Sequence, residues 1–100
     1  MKRIKLLTQK NFKVWLESKA PKTKVGKAVD AYACPIFNFL KQNNLPVTFV
    51  GKLWGIKLKE NDNYIDIPKW TERFIDTLDK SMAAGASVSA KKALEILQKI

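Results

Sequence analysis

The sequence of 100 residues contains no histidine and a single cysteine, Cys34. Without histidine, the chain lacks the commonest general base near neutral pH and the commonest side-chain ligand for metals. One cysteine alone cannot complete a zinc site of the finger or catalytic type. The sequence therefore excludes Ser-His-Asp and Cys-His catalysis, and we predict a non-enzymatic protein with no catalytic residue, no metal site and no cofactor.

The sequence also lacks a long apolar run and a disulfide partner for its one thiol. Residues 1–7 are basic like the start of a signal peptide, but Gln9, Lys10 and Lys13 interrupt any apolar region after them. No segment approaches the length that crosses a bilayer. A lone thiol suits a reducing compartment, and within its apolar segment it is predicted to be buried. These features predict a cytoplasmic protein without membrane association.

Acidic side chains are scarce at the start of the chain. The formal net charge is +10, and residues 1–27 carry nine basic side chains against Glu17 alone. Such a surface attracts polyanions, either nucleic acid or an acidic protein surface; a solvated, lysine-rich surface without a ligand is the alternative. Because lysine lacks the bidentate fork with which arginine reads guanine, nucleic acid would be held by its phosphates.

The densest group of lysines lies at residues 20–27, directly before a predicted helix. Helix N-termini bind anions through free N–H groups and a partial positive charge. Cations at that end oppose the helix dipole, so stability does not explain them, whereas a bound phosphate or carboxylate would. An exposed loop that tolerates lysine is the alternative. The predicted anion-binding residues are Lys22, Lys24 and Lys27, supported by Lys10 and Lys13 on the exposed face of the preceding helix.

A short strand and a helix are predicted at the start of the chain. Residues 3–7 alternate apolar and basic side chains, which is typical of an edge strand. Thr8 is suited to cap a helix over residues 9–19, whose apolar stripe includes Phe12 and Trp15. The helix would bury this stripe against the rest of the chain.

The second helix is predicted to begin after Thr23 and to run to residue 43. Apolar residues from Val25 to Leu40 repeat at helical spacing. Pro35 falls inside this repeat, where it removes one backbone donor and crowds the preceding turn. Because the apolar stripe keeps its phase across the proline, we predict one kinked helix instead of two separate ones.

In the second half of the sequence, apolar residues first recur at every second position, as in strands, and then at helical spacing. A turn is predicted at Asn61–Asn63. Pro68 fits the first turn of a third helix, and Ser89 or Ser87 caps the last helix. Three short strands precede these helices, at residues 47–50, 54–59 and 64–67.

Together these elements predict one α+β domain over residues 1–100. Their order is (β)ααβββαα, and the four helices would pack on one face of a small, mainly antiparallel sheet. No linker rich in proline, glycine or serine divides the chain.

The predicted helices contain several short runs of packing residues. These are Val25-Gly26-Lys27-Ala28, Cys34-Pro35-Ile36, Phe39-Leu40, Ile67-Pro68-Lys69-Trp70 and Phe74-Ile75. With these runs, residues 12–97 resemble a group of small uncharacterised proteins of cyanobacteria and other bacteria. The resemblance implies a bacterial or phage origin and carries no activity with it.

Two further features of the sequence have a functional and a structural interpretation. Trp54 lies close to Lys52 and could stack on an unpaired base if exposed; a core tryptophan in a short sheet is the alternative. Glu60, Asp62 and Asp66 surround the predicted turn. Paired carboxylates serve hydrolases and magnesium sites, but acids around a turn are common, and we predict no catalysis there.

Two functions from different classes remain. The leading prediction is a non-enzymatic binding module that contacts nucleic-acid phosphates with low sequence specificity. The alternative is a protein-interaction module, a phage- or host-encoded adaptor or inhibitor, whose basic end docks on an acidic protein surface. An apolar surface patch that includes Trp54 or Phe49 would favour this alternative.

Overall fold

The computed structural model describes residues 4–60 and 62–100, and in these ranges four helices and four short strands follow one another. This confirms the predicted α+β class and its four helices. In chain order the elements are α1 (Gln9–Glu17), β1 (Lys24–Lys27), α2 (Pro35–Gln42), β2 (Val47–Gly51), β3 (Gly55–Leu58), α3 (Lys69–Ser81), β4 (Ser87–Ser89) and α4 (Ala90–Lys99).

The strands form two separate two-stranded antiparallel sheets, where the sequence predicted one sheet. β2 and β3 form a hairpin, whereas β1 pairs with β4 from the other end of the chain. The strand predicted at residues 64–67 contracts to one bridge, in which Ile65 exchanges hydrogen bonds of 2.7 and 2.8 Å with Ile56. The turn predicted before it includes Asn61, which lies outside the described residues.

α1 begins where the sequence predicted. The N–H of Asn11 donates a hydrogen bond of 3.1 Å to the Thr8 hydroxyl, which caps the helix. The strand predicted at residues 3–7 is wrong for residues 4–7, because the chain turns there and the Leu7 N–H reaches the Ile4 carbonyl at 3.0 Å. Arg3, which was part of that prediction, lies outside the described residues.

The long kinked helix predicted after Thr23 is wrong, because α2 begins only at Pro35. A proline at the first helical position has no N–H to leave unsatisfied, so it starts a helix without cost. The Cys34 sulfur caps this end by accepting a main-chain N–H at 3.4 Å. Upstream, Val29 has a φ of +52°, which a right-handed helix does not contain. The apolar repeat therefore extends over a strand and a loop before the helix.

The core is built around the Phe12 ring, which joins three helices. It makes edge-on contacts with Phe39 of α2 at 5.5 Å and with Phe74 of α3 at 5.0 Å between ring centroids. Trp15 and Trp70 lie 5.9 and 5.7 Å from it and are partly buried against the core, as predicted. α2 contacts both β1 and β2, so the helices connect the two sheets.

The last two helices begin as the sequence predicted. Pro68 precedes the first turn of α3, and the Ser89 hydroxyl caps α4 by accepting the Lys92 N–H at 3.1 Å. On α3, Lys80 and Asp76 form an i, i+4 ion pair at 3.0 Å. None of the helices in the described ranges is long and apolar enough to cross a membrane.

Candidate functional site

Two of the predicted anion-binding lysines lie on one exposed face of the ribbon formed by β1 and β4. Lys27 lies opposite Ser87, and Lys24 lies opposite Ser89. Ser87 and Ser89 flank the buried Val88, so both point away from the core. Directly opposed residues of an antiparallel pair share a face. Lys24 and Lys27 therefore project from the same, solvent-exposed side.

A β-bulge makes this arrangement possible. Residues three apart on a regular strand face opposite sides, but the pairing shifts between Lys24 and Gly26, which opposes Val88. The inserted residue, Val25, is buried beside Gly26. The bulge thus turns both residues inward and leaves the flanking lysines outward.

Gly26 is required by a close approach between β1 and the start of α2. A Cβ atom at this position would lie 2.5 Å from the Pro35 nitrogen and 2.7 Å from the Ala33 carbonyl oxygen. The Asn38 amide strengthens the contact by donating a hydrogen bond of 2.8 Å to the Val25 carbonyl. The backbone that carries the lysines is therefore fixed against the core.

A further lysine from the end of the chain joins this region. The Lys91 N–H donates to the Pro21 carbonyl at 3.1 Å, and the Ala90 N–H donates to the Thr23 carbonyl at 2.8 Å. The backbone of residues 20–23, with its exposed Lys22, therefore packs against the first turn of α4. The exposed side chains gathered in this way form what we call the lysine surface: Lys22, Lys24, Lys27 and Lys91. The sequence analysis missed Lys91.

The helix N-terminus that was expected next to the basic loop does not lie there, because residues 24–27 form β1 and α2 begins only at Pro35. The backbone of residues 21–23 contacts the start of α4 instead. The first three N–H groups of α4, those of Ala90, Lys91 and Lys92, already donate to protein oxygens. These groups are therefore unable to hold an anion, and only the lysine side chains remain as candidate contacts.

Lys10 and Lys13 lie on α1, a different element from the loop and strand that carry the other predicted lysines. Both are exposed on α1, and they share the face of that helix with Glu17. α1 packs against α4 and α2 through its opposite, apolar side. The predicted group of five lysines therefore divides into three on the loop and β1, and two on a separate helix.

The four lysines of the lysine surface form no ion pair within residues 4–60 and 62–100. Lys52 and Lys80, in contrast, both bind Asp76, at 2.6 and 3.0 Å. Two carboxylates lie near the surface: Glu95, one helical turn after Lys91 on α4, and Asp79, which accepts the Val29 N–H at 3.0 Å. The lysine surface therefore carries an excess of positive charge.

A second exposed feature is a line of four aromatic rings on the other sheet. Tyr32 contacts Phe49 at 5.8 Å, Phe49 contacts Tyr64 at 5.6 Å, and Tyr64 contacts Trp54 at 6.0 Å between centroids. We call these four residues the aromatic row. Tyr32 and Trp54, at its two ends, are 67% and 68% exposed.

The hairpin turn places Trp54 in solvent, so the interpretation of this residue as a core tryptophan is wrong. Three residues, 52–54, connect β2 and β3, and the next residue, Gly55, has a φ of +95°. Such a turn directs its side chains outward, and Leu53 beside Trp54 is 87% exposed. The Phe49 ring lies directly over Gly51, where a Cβ would come within 2.6 Å of it.

The loop 28–34 connects the lysine surface to the aromatic row. Its Ala33 carbonyl accepts the Lys27 N–H at 2.8 Å, and its Ala31 carbonyl accepts the Val50 N–H of β2 at 2.9 Å. Tyr32 lies between these two anchors. The backbone of the loop therefore runs from the edge of one sheet to the edge of the other, with the first ring of the row at its centre.

The remaining candidates carry no catalytic geometry. In the described part of the chain, no three carboxylate or thiol side chains come together as a group that could hold a metal ion. Glu60, Asp62 and Asp66 are exposed around their turn. Cys34 is buried, as predicted, and burial raises the pKa of its thiol to about 11.

No family model, curated protein or solved structure matches the chain. The resemblance to small bacterial proteins stays a prediction.

Proposed function

We propose that this chain is a non-enzymatic binding module that contacts nucleic-acid phosphates through the lysine surface. The observation that carries the proposal is the shared exposed face of Lys24 and Lys27 on the ribbon of β1 and β4. The bulge in β1 and the docking of residues 20–23 on α4 hold Lys22 and Lys91 close to this face.

Charge and side-chain type both support a phosphate ligand. The net charge of +10 gives the molecule as a whole a positive field that attracts polyanions. Lysines that form no ion pair within the described residues are available to replace the counterions of a nucleic-acid backbone. Because every member of the lysine surface is a lysine, the contacts would be point charges on phosphate, which position the ligand without reading its bases.

The test is fluorescence anisotropy of labelled single-stranded DNA, duplex DNA and RNA, titrated with the protein across a salt series. The proposal predicts that log Kd rises linearly with the logarithm of the salt concentration. The Kd should depend little on base sequence. No binding of any of the three nucleic acids at low salt would contradict it.

A protein-interaction module that docks on an acidic protein surface is the second candidate. The hairpin turn favours it, because Trp54 and the neighbouring Leu53 are both exposed, and an exposed apolar patch with Trp54 is the feature expected of this alternative. Labelled polyglutamate of matched charge separates the two candidates. Preference for the oligonucleotide supports phosphate recognition, and preference for polyglutamate supports the acidic protein surface.

A further inference from the structure

We infer that the aromatic row binds unpaired bases, so that the ligand of this protein is single-stranded nucleic acid. The inference rests on the proposed function, since the lysine surface would hold the phosphates of the same strand. It adds the ligand class, because duplex and single strand offer the lysines similar phosphates but only a single strand offers free base faces.

The chemistry of the row matches that of a base-stacking platform. Its four members are all flat aromatic rings, supplied by the hairpin of β2 and β3 and by the segments on its two sides. Sheets that bind single strands use such rings, because every base has a π face that can stack on them. One lysine lies close to the row as well, since Lys57 is opposite Phe49 in the strand register.

The backbone of the β2–β3 turn provides the room that the row needs. Gly51 and Gly55 oppose each other at the end of the hairpin and have no side chains. The Phe49 ring lies over Gly51, and it meets the Tyr64 ring at 5.6 Å. Trp54 extends the row beyond Tyr64 and is 68% exposed. Trp54 and Tyr32, at the two ends, are the rings to which a base has the easiest access.

The aromatic row begins next to the lysine surface, so a single nucleic-acid strand held by the lysines would continue onto the rings. Tyr32 is the member of the row nearest to β1, because Ala33 beside it accepts the Lys27 N–H at 2.8 Å. A strand with its phosphates on Lys24 and Lys27 would meet Tyr32 first. The overall positive charge complements such a strand, whereas it gives no preference for an apolar protein partner.

The experiment compares labelled oligothymidine with an abasic oligomer of the same length, which keeps the phosphates but has no bases. The wild-type protein should bind oligothymidine about tenfold or more tightly than the abasic oligomer. Trp54→Ala should remove most of this difference while leaving the affinity for the abasic oligomer unchanged. Trp54→Phe, which restores a ring, should recover it, and far-UV circular dichroism verifies the fold of each variant.

Leu53→Ala is the matched control, because Leu53 is the apolar, non-aromatic neighbour of Trp54 in the same turn and is more exposed. It should leave the difference between the two oligomers intact. Equal affinity of the wild-type protein for both oligomers would overturn the inference but leave the proposed phosphate contacts in place. The aromatic row would then be assigned to a protein partner. Binding of neither oligomer would overturn the proposed function as well.

Discussion

The main-chain N–H of Lys91 donates a hydrogen bond of 3.1 Å to the carbonyl oxygen of Pro21, across most of the length of the chain. This bond has two consequences for function. It uses an N–H group at the start of α4 that would otherwise be available to an anion. It also brings a lysine from the end of the chain next to the basic loop near its beginning, so the lysine surface exists only in the folded protein.

Gly26→Ala is expected to destabilise the fold. The new Cβ would meet main-chain atoms of Ala33, Cys34 and Pro35, which have no flexible end to move aside. Overpacking of this kind costs about 1–3 kcal/mol or more, measured as the free energy of unfolding in urea. Gly85→Ala is the comparison, since a Cβ there meets nothing within 4 Å and only the φ of +80° opposes it, at about 1 kcal/mol. An equal loss in the two variants would contradict the close packing of β1 on α2.

Thr71→Val is expected to stabilise the protein. The Thr71 hydroxyl on α3 is fully buried and has no hydrogen-bond partner among the described residues. A buried, unsatisfied polar group costs about 1–3 kcal/mol, and valine has nearly the same shape. The melting temperature should rise by several degrees. Thr48→Val is the control, because the exposed Thr48 hydroxyl donates to the Lys57 carbonyl. A lower melting temperature for Thr71→Val would show that the hydroxyl has a partner.

Asp76→Asn is expected to change how the melting temperature depends on pH under acidic conditions. Hydrogen bonds from Lys52 and Lys80 lower the pKa of Asp76 in the folded protein. The stabilisation from this carboxylate is therefore present above the ordinary aspartate pKa and is lost as the pH falls below about 4. The melting temperature of the variant should depend less on pH in that window than that of the wild type. Parallel profiles would contradict the pairing, and added salt should reduce any difference.

The Cys34 thiol is expected to react with a disulfide reagent only when the protein opens. It is 6% exposed, and burial raises its pKa from 9.0 to about 11. The thiolate is the reacting form, so labelling near neutral pH should be slow in the folded protein and rapid in denaturant. The stability that the neutral thiol contributes is lost as the pH rises from 9.0 through about 11. Fast, complete labelling of the native protein would contradict the burial.

Local signals in the sequence were sufficient for three of the four helix starts. Thr8 and Ser89 cap helices because their hydroxyls accept N–H groups within a few residues, and Pro68 needs only its own ring geometry. The start at Pro35 was missed, because the same residue type is compatible with a kink and with a first turn. The unusual φ of Val29, which decides between the two, is fixed by tertiary contacts, among them the Asp79 carboxylate that accepts its N–H.

The candidate site was predicted only in part for the same reason. Lys22, Lys24 and Lys27 were visible as a basic segment, but the face that Lys24 and Lys27 share depends on the register of β1 against a strand some sixty residues later. Lys91 follows a recognisable cap, yet nothing local indicates that its neighbour in space is Pro21. The aromatic row is likewise assembled by the fold. Trp54 and Phe49 were considered for binding from the sequence, whereas Tyr32 and Tyr64 were not.

The measurement that tests the central claim most directly is the salt dependence of oligonucleotide binding in matched double variants. Lys24→Ala/Lys27→Ala removes the two lysines that share the exposed face of β1, and Lys59→Ala/Lys99→Ala removes the same charge from exposed positions elsewhere. If the lysine surface binds phosphates, the first variant loses affinity and its salt slope falls by about 1.4, for two contacts at about 0.7 each on a single strand. The control variant should keep the wild-type slope. Equal slopes in the two variants would contradict the account, because binding would then depend on net charge and not on the face that the bulge in β1 creates.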